Sequence, residues 1–383
     1  VTVTAAAGFV AAGVAAGLKA SGDPDVALVV NTGPSYAAAG VFTSNRVQAA
    51  PVLWSRQVVS GGVLRAVVLN SGGANACTGP DGFQDTHRTA EHVAGLLGCG
   101  AGEVAVCSTG LIGERLPMQR LLDGVDKAAA GLDLHGGDVA AEAIRTTDTV
   151  RKTALVRNEN VTVGGMAKGA GMLAPGLATM LCVLTTDAVA TAETLDAVLR
   201  DAVRLTFDRV DADGCMSTND TVLLMASGAS GVELPAADLA AMVHAACDDL
   251  ARQLVADAEG ATKDVVITVR QAASEEDAVT VARTVARSNL VKCALYGEDP
   301  NWGRIISAIG TTDAVFDPDR IAVTINGIEV CRNGAGHLDR SLVDMSGRDV
   351  RIDIDLDAGD DEGFIRTTDL TVAYVHENSA YST

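Results

Sequence analysis

The 383-residue chain is 48% hydrophobic, enough apolar material for one large or two intimate α/β domains. Its formal charge of −20 repels phosphate backbones and anionic lipid heads, so neither nucleic acid nor a membrane surface is an expected partner. The 8 cysteines stand singly and the 6 histidines form no H-E-x-x-H or paired-ligand motif, which reads as reduced thiols in a cytoplasmic protein without a metal site.

In chain order, Val1–Leu18 has no charged side chain but lacks a basic start and is too rich in Ala and Gly for a signal or anchor. Asp25–Asn31, Ala37–Thr43, Arg65–Asn70 and Glu103–Ser108 are predicted strands, and Phe83–Leu97 and Pro117–Leu132 predicted helices, with Pro117 suited to a first turn. The run Asn70–Gly79 between them is a Gly- and Asn-rich loop of the kind that lines sites. Further strands are expected at Thr153–Val156, Val161–Ala167, Thr179–Thr185, Thr221–Ala226 and Asp264–Arg270, with helices near Ala192–Thr206 and Ala236–Ala258. Ser274 with Asp277 reads as a helix start, Gly297–Trp302 as a turn, and Ile321–Ile325, Val350–Asp355 and Leu370–Val375 as closing strands. No repeat or low-complexity linker interrupts the chain, so packed α and β layers are expected.

The chemistry centres on the junction Ala178-Thr179, where the loop Lys168–Ala178 meets the apolar run Thr179-Met180-Leu181-Cys182-Val183-Leu184. Attack of the Thr179 hydroxyl on the Ala178 carbonyl would turn the peptide into an ester. Hydrolysis would then free a threonine carrying both a nucleophilic Oγ and an α-amine. Such an amine titrates at about 7.7–8.0 in model peptides, so it can act as base for its own hydroxyl. A threonine heading an apolar run is also a good strand residue and nothing more. The surroundings favour chemistry: Ala178 is small, glycines stand at 164, 165, 169, 171 and 176, and Lys168 supplies a cation for an oxyanion or a bound carboxylate.

Gly169–Ala174 matches the dinucleotide pattern G-x-G-x-x-A, but Pro175 and Gly176 interrupt it and a strand follows, so no helix N-terminus is available for a pyrophosphate. Ser108-Thr109-Gly110, where a predicted strand ends, reads either as an ordinary turn or as a hydroxyl and an N–H converging on an oxyanion. Thr146 and Thr147, Glu259, and the tail Asn378 to Thr383 are polar residues in small or apolar surroundings, which caps and solvated ends explain one by one. Gly297–Arg304, with Trp302, reads as a structural corner.

Together these blocks resemble the ornithine acetyltransferases of the cyclic arginine pathway, from Ala11–Gly17 and Ala37–Thr43 through Asn70–Gly79, Ser108-Thr109-Gly110, Thr146–Thr149, Lys168–Leu181, Ser217–Thr221, Asp257–Lys263 and Asp299–Arg304 to the tail. The resemblance implies a layered α/β fold with mixed sheets, of ornithine acetyltransferase/DmpA type and similar to the Ntn-hydrolases, built from two interleaved segments made by autoproteolysis. It implies residues 1–178 as the α segment and residues 179–383 as the β segment. On it, the oxyanion pair falls on Thr109 and Gly110, cleavage on Ala178-Thr179, and substrate contacts on Thr146, Lys168, Thr179, Glu259, Asn378 and Thr383, with Thr147 an alternative to Thr146. The tail departs slightly, with Glu377 at a position usually apolar and Thr367-Thr368 where a Gly-Cys pair is common.

The implied reaction is transfer of acetyl from N2-acetyl-L-ornithine to L-glutamate through an acetyl-threonine, with no cofactor, in a heterotetramer of two α and two β segments. Acetyl-CoA is a second candidate donor. An aminopeptidase or amidase of the same N-terminal-nucleophile design, in which water is the acceptor, and an uncleaved metabolite-binding protein are the alternatives.

Overall fold

The computed structural model describes residues 2–174 and 180–380. Ala178 and Thr179, and with them the expected cleavage junction, lie outside the described residues, as does Thr383.

The first half supplies β1 (Phe9–Val14), β2 (Val26–Asn31), β3 (Ala37–Phe42), α1 (Ala50–Val59), β4 (Ala66–Ser71), α2 (Gly79–Leu97), β5 (Val104–Thr109), α3 (Met118–Ala130), α4 (Gly137–Ala143), β6 (Lys152–Arg157) and β7 (Thr162–Lys168). The second half supplies β8 (Leu181–Thr186), α5 (Ala192–Leu205), β9 (Thr221–Ala226), α6 (Ala236–Ala256), β10 (Asp264–Ala272), α7 (Glu275–Arg287), α8 (Asn289–Tyr296) and α9 (Trp302–Ile309). The chain closes with β11 (Ala322–Ile325), β12 (Ile328–Arg332), β13 (Ala335–Gly336), β14 (Asp349–Asp355), β15 (Asp361–Thr368) and α10 (Val372–Ala380).

The described residues form three mixed sheets, ordered β1-β2-β4-β5, β3-β9-β8-β7-β6 and β13-β12-β11-β14-β10-β15. The first two stack face to face. Leu181, Val183, Leu223 and Met225 join a core with Val67 and Leu69 of the first sheet, while the alternating Cys182, Leu184, Val222 and Leu224 face a second core with α5 and α6. That alternation is the strand period at work, and burial on both faces explains why β8 and β9 read as continuous apolar runs. Helices α1 to α4 flank the first sheet, so the arrangement is helix, sheet, sheet, helix. The third sheet has its own core with α7 and α9.

The five-stranded sheet interleaves the chain. Strands β3, β6 and β7 precede residues 175–179 and β8 and β9 follow them, yet β3 pairs with β9 along its full length and β7 with β8 from Val163 to Lys168.

Three expectations need correcting. Leu370–Val375 is not a strand: β15 ends at Thr368, and the Thr371 hydroxyl accepts the Tyr374 N–H to start helix α10. Its apolar residues supplied strand propensity, but the cap and the Asp369 carboxylate, which binds the Thr262 and Lys263 amides, redirect the chain. Pro117 precedes rather than opens α3, and α2 begins four residues earlier than expected, at Gly79. Strand β1 went unread because it is Ala- and Gly-rich. Its Gly13 lies under α4, where a Cβ would come within 2.2 Å of the Val139 carbonyl, so close packing there rules out the bulky β-branched residues that signal a strand.

Candidate active site

Strand β5 is buried throughout and delivers Ser108 and Thr109 at its C-terminal end. The chain then turns at Gly110, whose φ is +130° and whose missing side chain would otherwise sit 2.5 Å from the Gly73 nitrogen. Only glycine fits both the backbone angle and that approach. The Asn70–Gly79 loop is pinned against this turn: Gly73 N–H donates to the Thr109 carbonyl at 3.0 Å, and the Asn219 side chain donates to the carbonyls of Ala74 (2.7 Å) and Ser108 (2.8 Å).

Opposite, β7 ends at Lys168, which is 2% exposed. Its ammonium donates to the Thr109 hydroxyl at 3.3 Å and stands 4.0 Å from an Asp148 carboxylate oxygen. Asp148 is itself buried, and accepts from Lys152 Nζ (2.6 Å), Gly169 N–H (2.6 Å) and Thr146 N–H (3.0 Å). Burial opposes ionisation of Asp148, but the two lysine charges and these hydrogen bonds overcome it and hold the carboxyl at about 2. Burial also lowers the Lys168 pKa, with Asp148 resisting the drop and Lys152 reinforcing it.

Glu259, just beyond α6, completes the ring. Its carboxylate accepts the Thr147 hydroxyl at 2.7 Å and the Asn378 side-chain amide at 2.9 Å, while its own N–H donates to the Ala170 carbonyl at 3.0 Å. The carboxylate rests against Gly171, where a Cβ would fall 2.6 Å from Oε1. The Asn378 contact brings α10, the last described element, onto residues far away in sequence.

Thr109, Gly110, Thr146, Lys168, Glu259 and Asn378 thus line one small cavity of about 70 Å³. Thr147 lines it too, and it is Thr147 whose hydroxyl engages Glu259, whereas Thr146 gives its backbone N–H to Asp148. Two larger clefts adjoin this cavity. One, of about 680 Å³, meets it at Gly110 and Thr146; the other, of about 600 Å³, meets it at Thr146, Thr147, Glu259 and Asn378.

Sequence reasoning gave no role to Asp148, Lys152 or Asp220. Asp220 is fully buried and accepts the Met180 N–H at 2.9 Å, beside the expected junction, and burial pushes its carboxyl well above the usual range. The available signal was an acid set among small or apolar residues in Thr146–Thr149 and Ser217–Thr221. Such a signal does not reveal which cation, if any, will answer the charge.

A buried lysine beside a hydroxyl, with a glycine N–H at the same strand end, can stabilise negative charge on a carbonyl oxygen. A carboxylate across the cavity can hold a cation or an amine.

The family model for the ArgJ family matches residues 10–383. The chain is 66% identical over 381 residues to the arginine biosynthesis bifunctional protein ArgJ of Streptomyces coelicolor, with both chains covered completely. It is 62% identical over 382 residues to the protein of the same name from Thermobifida fusca, again over 100% of each. Among solved structures it is similar to the ornithine acetyltransferase of Mycobacterium tuberculosis complexed with ornithine, at 63% identity and a TM-score of 0.45, covering 47% of this chain and 96% of the other.

Proposed function

Because the chain belongs to the ArgJ family, we propose that it carries acetyl from N2-acetyl-L-ornithine to L-glutamate on the hydroxyl of Thr179. It is an acyltransferase of arginine biosynthesis, on the strength of two-thirds identity over the full length of its relatives. Self-cleavage between Ala178 and Thr179 frees the α-amine of Thr179. That amine takes the hydroxyl proton as Oγ adds to the acetyl carbonyl. The Thr109 hydroxyl, oriented by Lys168, and the Gly110 N–H receive the oxyanion. The C–N bond then breaks and ornithine leaves with the proton. The amine of L-glutamate attacks the acetyl ester, giving N-acetyl-L-glutamate and restoring Thr179. Acetyl-CoA is a second donor in the same scheme.

The carrying observation is the 3.3 Å contact between Lys168 and Thr109 in the cavity that also holds Glu259. Lys168 is suited to the α-carboxylate common to both amino acids, and Glu259 to balancing the charge of ornithine. Thr146, Asn378 and Thr383 complete the substrate contacts.

Segments 1–178 and 179–383 stay associated in this reading, since separating them would strip β3 from β9 and β7 from β8 and expose unpaired edges. A pair of each segment forms the working heterotetramer. We place the enzyme in the cytoplasm. Its 8 cysteines are unpaired, and among the described residues no helix is long and apolar enough to cross a membrane.

The test is the intact mass of purified Thr179→Ala beside wild type. Two fragments from wild type and one unbroken chain from the variant support the mechanism; two fragments from the variant overturn it.

A further inference from the structure

One site must receive, in turn, two amino acids whose side chains end in opposite charges. The shared α-carboxylate and α-nitrogen fix where each sits relative to the nucleophile, so the ammonium of ornithine and the γ-carboxylate of glutamate need different surroundings. The cleft on the Glu259 side is poorly suited to a carboxylate: its wall carries Asp257, Glu259 and Glu377 against a single histidine, His376, and among the described residues no lysine or arginine. Although Lys152 neutralises Asp257 from behind, Glu259 and Glu377 would still repel an anion.

The cleft on the other side of Thr146, which reaches the cavity at Gly110, differs in carrying two cations, Lys19 and Arg145, beside two acids, Asp23 and Glu142. Arg145 on its wall is already engaged by Glu142 and by the carbonyls of Asp148 and Thr149. Lys19 is not engaged in that way. Its ammonium donates to the Pro24 carbonyl at 2.9 Å, and among the described residues it forms no ion pair. The loop carrying it is fixed by the buried Asp25, whose carboxylate accepts the N–H groups of Ala16 (2.6 Å), Leu18 (2.6 Å) and Lys19 (3.0 Å). Partial burial of Lys19 lowers its pKa, with Asp25 and Asp23 opposing the drop, so a bound anion would recover interaction that the loop leaves unmade.

We propose that Lys19 is the recognition point for the side-chain carboxylate of the acceptor, so that glutamate extends into the cleft beside Gly110 while ornithine extends towards Glu259. The inference rests on the acetyl-transfer reading above. It makes Lys19 a specificity residue for the second half of the reaction and not for the first.

The two halves can be read separately by loading the enzyme with acetylornithine alone, following the acetyl mass on the fragment that begins at Thr179, and then adding an acceptor. Lys19→Met should raise the KM for L-glutamate about tenfold, the usual scale for losing a charge-assisted hydrogen bond. Acetyl loading should change far less, and the KM for L-glutamine, which lacks the γ-carboxylate, should not rise with it. Lys19→Arg should restore most of the glutamate preference. Equal losses with both acceptors, or an unaltered KM for glutamate, would overturn the proposal. If wild type never acquires the acetyl group, the transfer mechanism fails by itself, and calorimetry with L-glutamate still judges Lys19: weaker binding by Lys19→Met supports the site and equal binding rejects it.

Discussion

The ammonium of Lys168 donates to the hydroxyl of Thr109, joining the last residue of β7 to the last residue of β5 and so bridging the two stacked sheets at the cavity. The hydroxyl is thereby polarised from one side and can point its own proton at a carbonyl oxygen on the other. Thr109→Ala should lower kcat about a hundredfold or more, the cost of losing one oxyanion donor, and should delay the appearance of the two fragments. Unchanged rates of processing and transfer would remove Thr109 from the mechanism. Thr109→Ser, which keeps the hydroxyl, should recover much of the rate.

Asp148 answers two buried lysines, and removing its charge leaves Lys168 without its ion-pair partner and Lys152 with Asp257 alone. Asp148→Asn should destabilise the fold by about 3–5 kcal/mol, the range for breaking a buried pair, measured by denaturant or thermal melting. The acid limb gives a second readout. With a folded pKa of about 2 against about 3.9 unfolded, the stability that Asp148 contributes is complete above about pH 4 and is lost as pH falls through about 2. A variant that kept wild-type stability at neutral pH would show that the cluster is not what holds this corner of the fold.

Asp220 should behave in the opposite way, because burial raises its pKa and favours the neutral acid. Its protonated form is most stabilising below the unfolded pKa, and stability falls as pH rises above that value. Asp220→Asn, a neutral group of the same shape, should therefore melt at or above the wild-type temperature, with the largest gain at alkaline pH. A steep loss of stability would mean that Asp220 is ionised and paired.

Glu259 owes its position to the absence of a side chain at residue 171. Gly171→Ala places a methyl group 2.6 Å from the carboxylate, which must move and surrender its contacts with Thr147 and Asn378. The KM for acetylornithine should rise about tenfold, as expected for one or two hydrogen bonds to a charged group, while the melting temperature changes little. Glu259→Gln should give a similar KM with the methyl clash absent. If neither change affects the KM, Glu259 does not meet the donor.

Much of the fold was legible because its elements bury themselves along simple periods. Strands β2, β4, β5, β8 and β9 are buried throughout and mostly apolar, hence easily read, and α7 announces itself through the cap Ser274. Among the elements that escaped, which include α1, α4, α8, α9, β12, β13 and β15, two did so for stated reasons: β1 uses small residues because α4 crosses it closely, and α10 takes its start from a threonine hydroxyl inside a strand-like run. Both depend on what packs nearby.

Taken alone, the sequence pointed to packed α and β layers and to a candidate junction at Ala178-Thr179, because periodicity and local motifs are written along the chain, while the residues assigned to the site followed from the family resemblance. Only the tertiary structure decided that Lys168 serves Thr109, that Asp148 balances both Lys168 and Lys152, that Thr147 and Asn378 share Glu259, and that Lys19 looks into a neighbouring cleft. Those pairs join residues from 4 to 119 positions apart. Charge balance and hydrogen-bond reach depend on distance in space, which sheet stacking and loop closure set and which spacing along the chain does not encode.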